Sequence, residues 1–203
     1  MQLEPYNHAS VLSARGLNTL LFSDPYAKLC FTSSLVSSLR TVYIDLDTAF
    51  SAYLAAGIVN AKSVDVYLPS EGRFMAMFQE VVAHMPRYSL VILDSINSFY
   101  AVYYSHYRRH EKRAGGSINH LLSVLLMLLV RQGVTHGIPV LATSMLRFRK
   151  EGGWKQSPAS RRLLQKKSAC RMEVERAGNE IVLKVLEHDA IQAGASYTVT
   201  PLC

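Results

Sequence analysis

Leu17-Asn-Thr-Leu-Leu-Phe22 and Thr41-Val-Tyr-Ile-Asp-Leu46 are two short apolar runs of β-prone residues. Between them, Ala27 to Leu39 spaces Leu29, Ser33 and Val36 along one helical face. A strand, a helix and a second strand make the βαβ unit of a parallel sheet. The same alternation continues outward. Phe50 to Gly57 reads as a helix that Gly57 closes, Ser63 to Tyr67 as a brief strand, and Gly72 to His84 as a helix ended by Pro86. Ser89 to Leu93 is an apolar strand that finishes at Asp94, and Ile138 to Thr143 is the next one. Ala169 to Val174 and Glu180 to Glu187 form a hairpin around Ala177-Gly178-Asn179, and Ser196 to Val199 is a last edge strand. The pattern predicts an α/β fold in one domain over 1–203, a mainly parallel sheet flanked by helices, with a C-terminal antiparallel hairpin.

Two stretches stand apart. Ser117 is placed to cap a helix that runs to Gln132, with Gly133 as its stop. Leu121 to Val130 is apolar nearly all round, so this helix is expected to be buried on more than one side, as the central helix of the sheet or in a subunit interface. Arg147 to Lys167 is polar, basic and broken by Gly and Pro, and reads as a loop.

Composition excludes some classes of function. With 49% hydrophobic and 18% charged residues, the chain has material for a core and is not a disordered segment. No apolar run reaches the ~18 residues of a membrane span. Met1 to Ser10 lacks the basic start and apolar stretch of a signal peptide. Cys30, Cys170 and Cys203 lie far apart with no metal-ligand spacing, which fits reduced thiols. No membrane partner and no metal are expected, and the location is cytoplasmic (nucleoid-associated), or nuclear in a eukaryote.

The net charge of +7 is unevenly spread. Between Arg108 and Arg171 there are 14 Lys and Arg against two acids, Glu111 and Glu151, a net +12, while the rest of the chain carries −5. Such a split points to a surface for a polyanion, with a merely solvated basic face as the plainer alternative.

Three phrases carry a resemblance: Thr41-Val-Tyr-Ile-Asp-Leu-Asp-Thr-Ala-Phe50, Tyr88-Ser-Leu-Val-Ile-Leu-Asp-Ser-Ile-Asn-Ser-Phe-Tyr100 and Gly137-Ile-Pro-Val-Leu-Ala-Thr-Ser144. In this order, from about Gly16 to Val199, the chain resembles the core of the RecA/RadA recombinases of archaea and eukaryotes. That family's N-terminal DNA-binding domain is expected to be absent. The resemblance implies a RecA-like fold and an ATP site, and the residues depart from that site. The stretch matching the Walker A loop is Phe22-Ser-Asp-Pro-Tyr-Ala-Lys28-Leu29. Lys28 is in place, but Phe22 and Ala27 stand where glycines let backbone N–H groups curl around phosphate, and Leu29 stands where a hydroxyl binds Mg²⁺. Asp24 adds a negative charge and Pro25 removes an N–H donor.

Asp94 matches the carboxylate that orients Mg²⁺ in this family; the alternative is an acid capping the turn after its strand. Asp47 stands where the recombinases use a Glu to activate water, and is one methylene shorter. Met145 stands where they use a Gln that senses the γ-phosphate; it cannot make that hydrogen bond and reads as core filling. These departures all bear on one reaction, so no catalytic residue and no cofactor are expected, and Lys28, Asp47 and Asp94 form a degenerate nucleotide site.

In the resemblance, two loops that hold DNA correspond to the basic segments. The first contains Arg108, Arg109, Lys112 and Arg113, expected directly after the Asp94 strand. The second contains Arg147, Arg149, Lys150, Trp154, Lys155, Arg161, Arg162, Lys166 and Lys167. Arg and Lys contact phosphates without reading sequence, and Phe148 and Trp154 are placed to stack on unpaired bases. The expected function is that of a non-hydrolysing recombinase paralogue, an accessory factor in DNA recombination and repair. Its expected partners are single-stranded DNA, a catalytic RecA/RadA-like recombinase, or another RecA-like subunit. The alternatives are a divergent ATPase using Lys28, Asp47 and Asp94, and a structural subunit of an Elongator-type ring that binds RNA.

Overall fold

β1 (Leu17–Phe22) lies in the middle of one sheet because every one of its residues is buried. The computed structural model describes residues 8–61, 63–70, 72–107, 115–150 and 154–202. A 3-10 turn, His8–Val11, leads into β1, and a second spans Met85–Arg87. The remaining elements are α1 (Pro25–Ser38), β2 (Thr41–Asp45), α2 (Ala49–Ala55), β3 (Val64–Tyr67), α3 (Phe74–His84), β4 (Leu90–Asp94), α4 (Ile96–Tyr107), α5 (Gly115–His136), β5 (Val140–Lys150), β6 (Trp154–Pro158), α6 (Arg161–Lys167), β7 (Ser168–Ala177), β8 (Glu180–Glu187) and β9 (Ser196–Val199).

The sheet order is β3-β2-β4-β5-β1-β7-β8-β9, with β6 paired to β5. The neighbours from β3 to β7 run parallel, whereas β7, β8 and β9 are antiparallel. This is the expected α/β architecture, including its C-terminal hairpin. β2 and β4 are fully buried, as central parallel strands covered on both faces must be. Their register sets Asp45 beside Asp94, and that of β1 with β5 sets Phe22 beside Met145. The carboxyl ends of β1, β2, β4 and β5 therefore meet along one edge. Ligands of open α/β sheets bind at this edge.

Two core clusters lie on the two faces of the sheet. One gathers α3, α4 and α5 around Val42, Leu93 and Val140; the other gathers α1 and the hairpin around Leu20, Tyr43 and Ile92. The step from α5 to β5 depends on Gly133. A Cβ there would lie 2.6 Å from the Ile138 carbonyl and 2.8 Å from the Val140 side chain.

Three expectations are corrected. First, α4 follows β4 at once, so the basic segment 108–113 comes after a 12-residue helix and not at the strand's end. Asn97, Ser98 and four tyrosines are indifferent helix formers, and burial of Ile96, Phe99, Val102 and Tyr103 against the sheet supplies what propensity does not. Second, the described residues of the expected loop, 147–150 and 154–167, are mostly strand and helix. β5 runs on to Lys150 and pairs antiparallel with β6, and α6 follows, pinned by buried Leu164. Arg, Leu, Gln and Lys favour a helix, and the charge of this stretch hid that preference. Third, α5 is buried on one face only. Ile118, Leu122, Leu125, Leu126 and Leu129 face the core, whereas Val124, Met127, Leu128 and Val134 are exposed. By length and composition 118–136 would also suit a bilayer, but its inner face is part of the sheet's core cluster.

Candidate functional site

Only Ser23 and Asp24 separate β1 from α1. A phosphate-binding loop needs several more residues here, with free N–H groups turned inward. Instead Asp24 caps α1, its carboxylate accepting from the Tyr26 amide at 2.8 Å, and Pro25 opens the helix with no N–H to give. The protein's own carboxylate thus stands at the helix N-terminus. Phe22 and Ala27, at the two glycine positions, are buried side chains.

Lys28 is buried one turn into α1. Its ammonium donates to Asp94 Oδ2 at 2.6 Å, lies 3.8 Å from Asp47 Oδ2 and sits 5.4 Å above the Phe22 ring. Burial alone would lower the Lys28 pKa; the Asp94 and Asp47 charges outweigh it and hold the ammonium above its ordinary value. The three residues expected to form the degenerate site, distant in sequence, are therefore together.

Asp94 is fully buried and does not cap the following turn, which corrects that alternative. Its Oδ2 also accepts from the Tyr43 hydroxyl at 2.6 Å, and its Oδ1 from Thr143 Oγ1 at 2.6 Å. A buried carboxylate with three such donors is satisfied. Tyr43, stacked on Phe50 at 3.8 Å, has its pKa pushed well up by burial and by the Asp94 charge.

Sequence reasoning missed Tyr43, Thr143 and Asp45. Asp45 is fully buried; its Oδ2 accepts from the Ser51 amide at 2.8 Å, while its Oδ1 has no partner. An acid ending a run of buried strand residues was the available signal. Carboxylate oxygens of Asp45, Asp47 and Asp94 lie within 4.8 Å of one another. Three carboxylates and one ammonium carry −2 when ionised, a field that repels a triphosphate. With Leu29 offering no oxygen and Asp24 on the helix terminus, these residues do not fit a Mg²⁺-nucleotide.

Asp47 is raised to about 6, by burial first and the Asp94 charge second, with Lys28 opposing. A folded-state pKa above the ordinary carboxylate value means that the folded protein holds this proton more tightly. The resulting stability is present at low pH and is lost as pH rises from about 4 to about 6. Asp47→Asn cannot ionise, so it should be more stable than the natural chain above that window and lose the advantage below it. Urea denaturation of both chains at about pH 4 and about pH 7.5 reads the difference. An unchanged difference between the two would mean that Asp47 ionises freely. Met145 packs against the core as filling, and its amide donates to Asn97 Oδ1 at 2.7 Å.

A second feature lies where α4 and α5 face the β5–β6 ribbon and α6. Arg147, Arg161 and Arg162 line a cleft of about 1120 Å³ with Tyr100, Asn119 and Gln165, and among the described residues no Asp or Glu lines it. The Tyr100 hydroxyl donates to Asn119 Oδ1 at 2.6 Å and is hydrogen-bonded to Ser160. Lys166 and Lys167 are exposed at the end of α6. Arg149, Lys150, Trp154 and Lys155 sit on paired strands in the register Arg149↔Lys155 and Lys150↔Trp154, and their side chains lie outside the described residues. Arg108, Arg109, Lys112 and Arg113 also lie outside the described residues. Phe148 on β5 is 65% exposed.

A parallel sheet in this order, with helices on both faces, an antiparallel hairpin on one flank and carboxylates at its strand ends, is the RecA-like fold. The crystal structure of the RadB recombinase is similar over 95% of this chain and 91% of that one, with a TM-score of 0.67 and 18% sequence identity. No family model and no curated protein matches the chain.

Proposed function

We propose that this protein is a RecA-like recombinase paralogue that does not hydrolyse ATP. In this reading it binds single-stranded nucleic acid through the arginine-lined cleft and serves as an accessory factor in recombination and repair, alone or on a partner recombinase. One observation carries the first half: the Lys28 ammonium, which the family's reaction would place on phosphate, is held by buried Asp94 at 2.6 Å. Capping of α1 by Asp24 and the site's negative balance support it. The nucleic-acid half rests on Arg147, Arg161 and Arg162 converging on one cleft. The similarity to a recombinase supplies the setting.

Phosphate release measured with and without single-stranded DNA should stay at background. Fluorescence anisotropy should show binding to single-stranded DNA that falls steeply as salt rises. The double replacement Arg161→Ala and Arg162→Ala should weaken binding and flatten the salt slope by up to about 2. DNA-stimulated turnover that Lys28→Ala abolishes would overturn the first half. Absence of binding to DNA and RNA at low salt would overturn the second.

A further inference from the structure

We infer that Asn97 and Tyr100, one turn apart on α4, are positioning residues that pin the β5–β6 ribbon at its two roots and so aim Arg147 into the cleft. This deepens the proposed nucleic-acid reading and rests on it. The need for such residues follows from the sheet. On one side β5 pairs with β1 as far as Met145, but on the other it pairs with β4 only as far as Ala142. β4 ends at Asp94, and the chain turns away into α4. From Thr143 to Met145, β5 therefore has no described strand beside it on that side. At Leu146 it leaves β1 as well and pairs with β6. Backbone groups in such a place need other partners.

Side chains take the place of the missing strand. Thr143 Oγ1 donates to Asp94 Oδ1 at 2.6 Å, and Ser144 Oγ donates to Asn97 Oδ1 at 3.4 Å. The Met145 amide donates to Asn97 Oδ1 at 2.7 Å, and Asn97 Nδ2 donates to the Met145 carbonyl at 3.4 Å. The carboxamide thus accepts and donates as a peptide unit of a neighbouring strand would, at the last residue that β5 shares with the sheet. The other root is held from the same helix. Tyr100, three residues after Asn97, lies on the same face of α4, and its hydroxyl is hydrogen-bonded to Ser160, two residues past β6. Ser160 stands at the N-cap of α6, where a serine hydroxyl ordinarily accepts from the first amides of the helix; here it makes no such bond. Its φ of 53° is in the left-handed region, which a residue with a Cβ keeps where its neighbours impose it.

Both roots lie at the cleft, which Asn97, Tyr100 and Ser160 line together with Arg147. Arg147 is two residues beyond Met145, exposed, and the second residue of the ribbon. A two-stranded ribbon is only marginally ordered by itself, so the direction Arg147 takes is set where the ribbon leaves the body of the protein. The charge of the residues makes the role measurable. A neutral side chain that touched a bound strand directly would change affinity and leave the number of neutralised phosphates as it was. A neutral side chain that acts through Arg147 changes both.

The test takes Asn97→Ala and Tyr100→Phe, each alone and combined with Arg147→Ala. Binding to single-stranded DNA is read by anisotropy over a series of salt concentrations, and amide hydrogen exchange is read without DNA. Asn97→Ala should weaken binding by about tenfold, as loss of one charge-assisted contact does. It should flatten the salt slope by about 0.7, the share of one phosphate on a single strand, and add nothing once Arg147 is alanine. Without DNA, the amides of the β5–β6 ladder should exchange about fivefold faster, the effect of one lost hydrogen bond, while those of β2 and β4 keep their natural rates. Tyr100→Phe keeps the ring and removes only the hydroxyl. It should change slope and exchange in the same directions, and it carries the test if circular dichroism shows Asn97→Ala unfolded. Additive losses with Arg147→Ala, or an unchanged salt slope, would overturn the inference and leave the nucleic-acid reading in place. Equal acceleration in β2 and β4 would make the two residues general supports of the fold and overturn it too. A natural chain that binds no DNA would remove both readings together.

Discussion

Lys28→Met should destabilise the protein by roughly 3–5 kcal/mol, the cost of leaving one partner of a buried ion pair uncompensated. The exposed part of the Lys28 side chain is 6% and that of Asp94 is 0%. Methionine preserves the apolar stem and removes the ammonium, so Asp94 keeps the Tyr43 and Thr143 hydroxyls but loses its counter-charge. Adding Asp94→Asn should then recover most of the loss. A neutral carboxamide can still accept from one of those hydroxyls, and no charge remains buried. Urea unfolding of the two single variants and the double variant closes the cycle. In a nucleotide-binding relative the lysine would face solvent or phosphate, and its removal would lower ligand affinity with little effect on the empty protein's stability. A near-neutral Lys28→Met, within about 0.5 kcal/mol, would therefore mean that the pair does not hold in solution and that Lys28 is free to meet a phosphate.

The sequence made the sheet legible because its strands are unambiguous. Leu17–Phe22 and Leu90–Asp94 are buried on both faces, and such strands show as mostly apolar runs, unbroken from Leu90 to Leu93 and interrupted in the first strand only by Asn18 and Thr19. The site was legible by position only. Lys28, Asp47 and Asp94 could be placed in one neighbourhood from the order of the strands, but nothing in the sequence said that Asp94 would turn on Lys28. That depends on the register of β2 and β4, and on Tyr43 and Thr143 pointing to the same carboxylate from neighbouring strands. Asp45 was hidden for the same reason: as the last residue of an apolar strand it is an ordinary strand end until its Oδ1 is found without a partner. The ribbon of β5 and β6 leaves little trace in the sequence because hydrophobic periodicity is a signal of burial. A two-stranded extension standing off the sheet has little to bury and so little pattern to show.

Helix α5 is where pattern and structure part most widely, and there the second large effect is expected. Leu125 is 3% exposed and belongs to the core cluster, whereas Leu128, three residues on, is 45% exposed. Leu125→Asp sets an unpaired carboxylate among apolar side chains, a mechanism that belongs to the exceptional class of losses above about 4 kcal/mol. That is a large share of the roughly 5–15 kcal/mol by which a domain is stable, so the variant should be unfolded or insoluble at ordinary temperature. Leu128→Asp introduces the same charge into water and should stay within about 0.5 kcal/mol of the natural chain. The two substitutions share chemistry, helix and helix propensity, so the difference isolates burial. Circular dichroism and urea unfolding read stability, and size-exclusion chromatography reads assembly. If Leu125→Asp remains folded and soluble but changes the assembly state, the inner face of α5 is a subunit interface and the core is packed differently. If both variants unfold, the outer face carries stability too, and the all-round apolarity of 121–130 means that the helix is enclosed on both sides, as its sequence suggests.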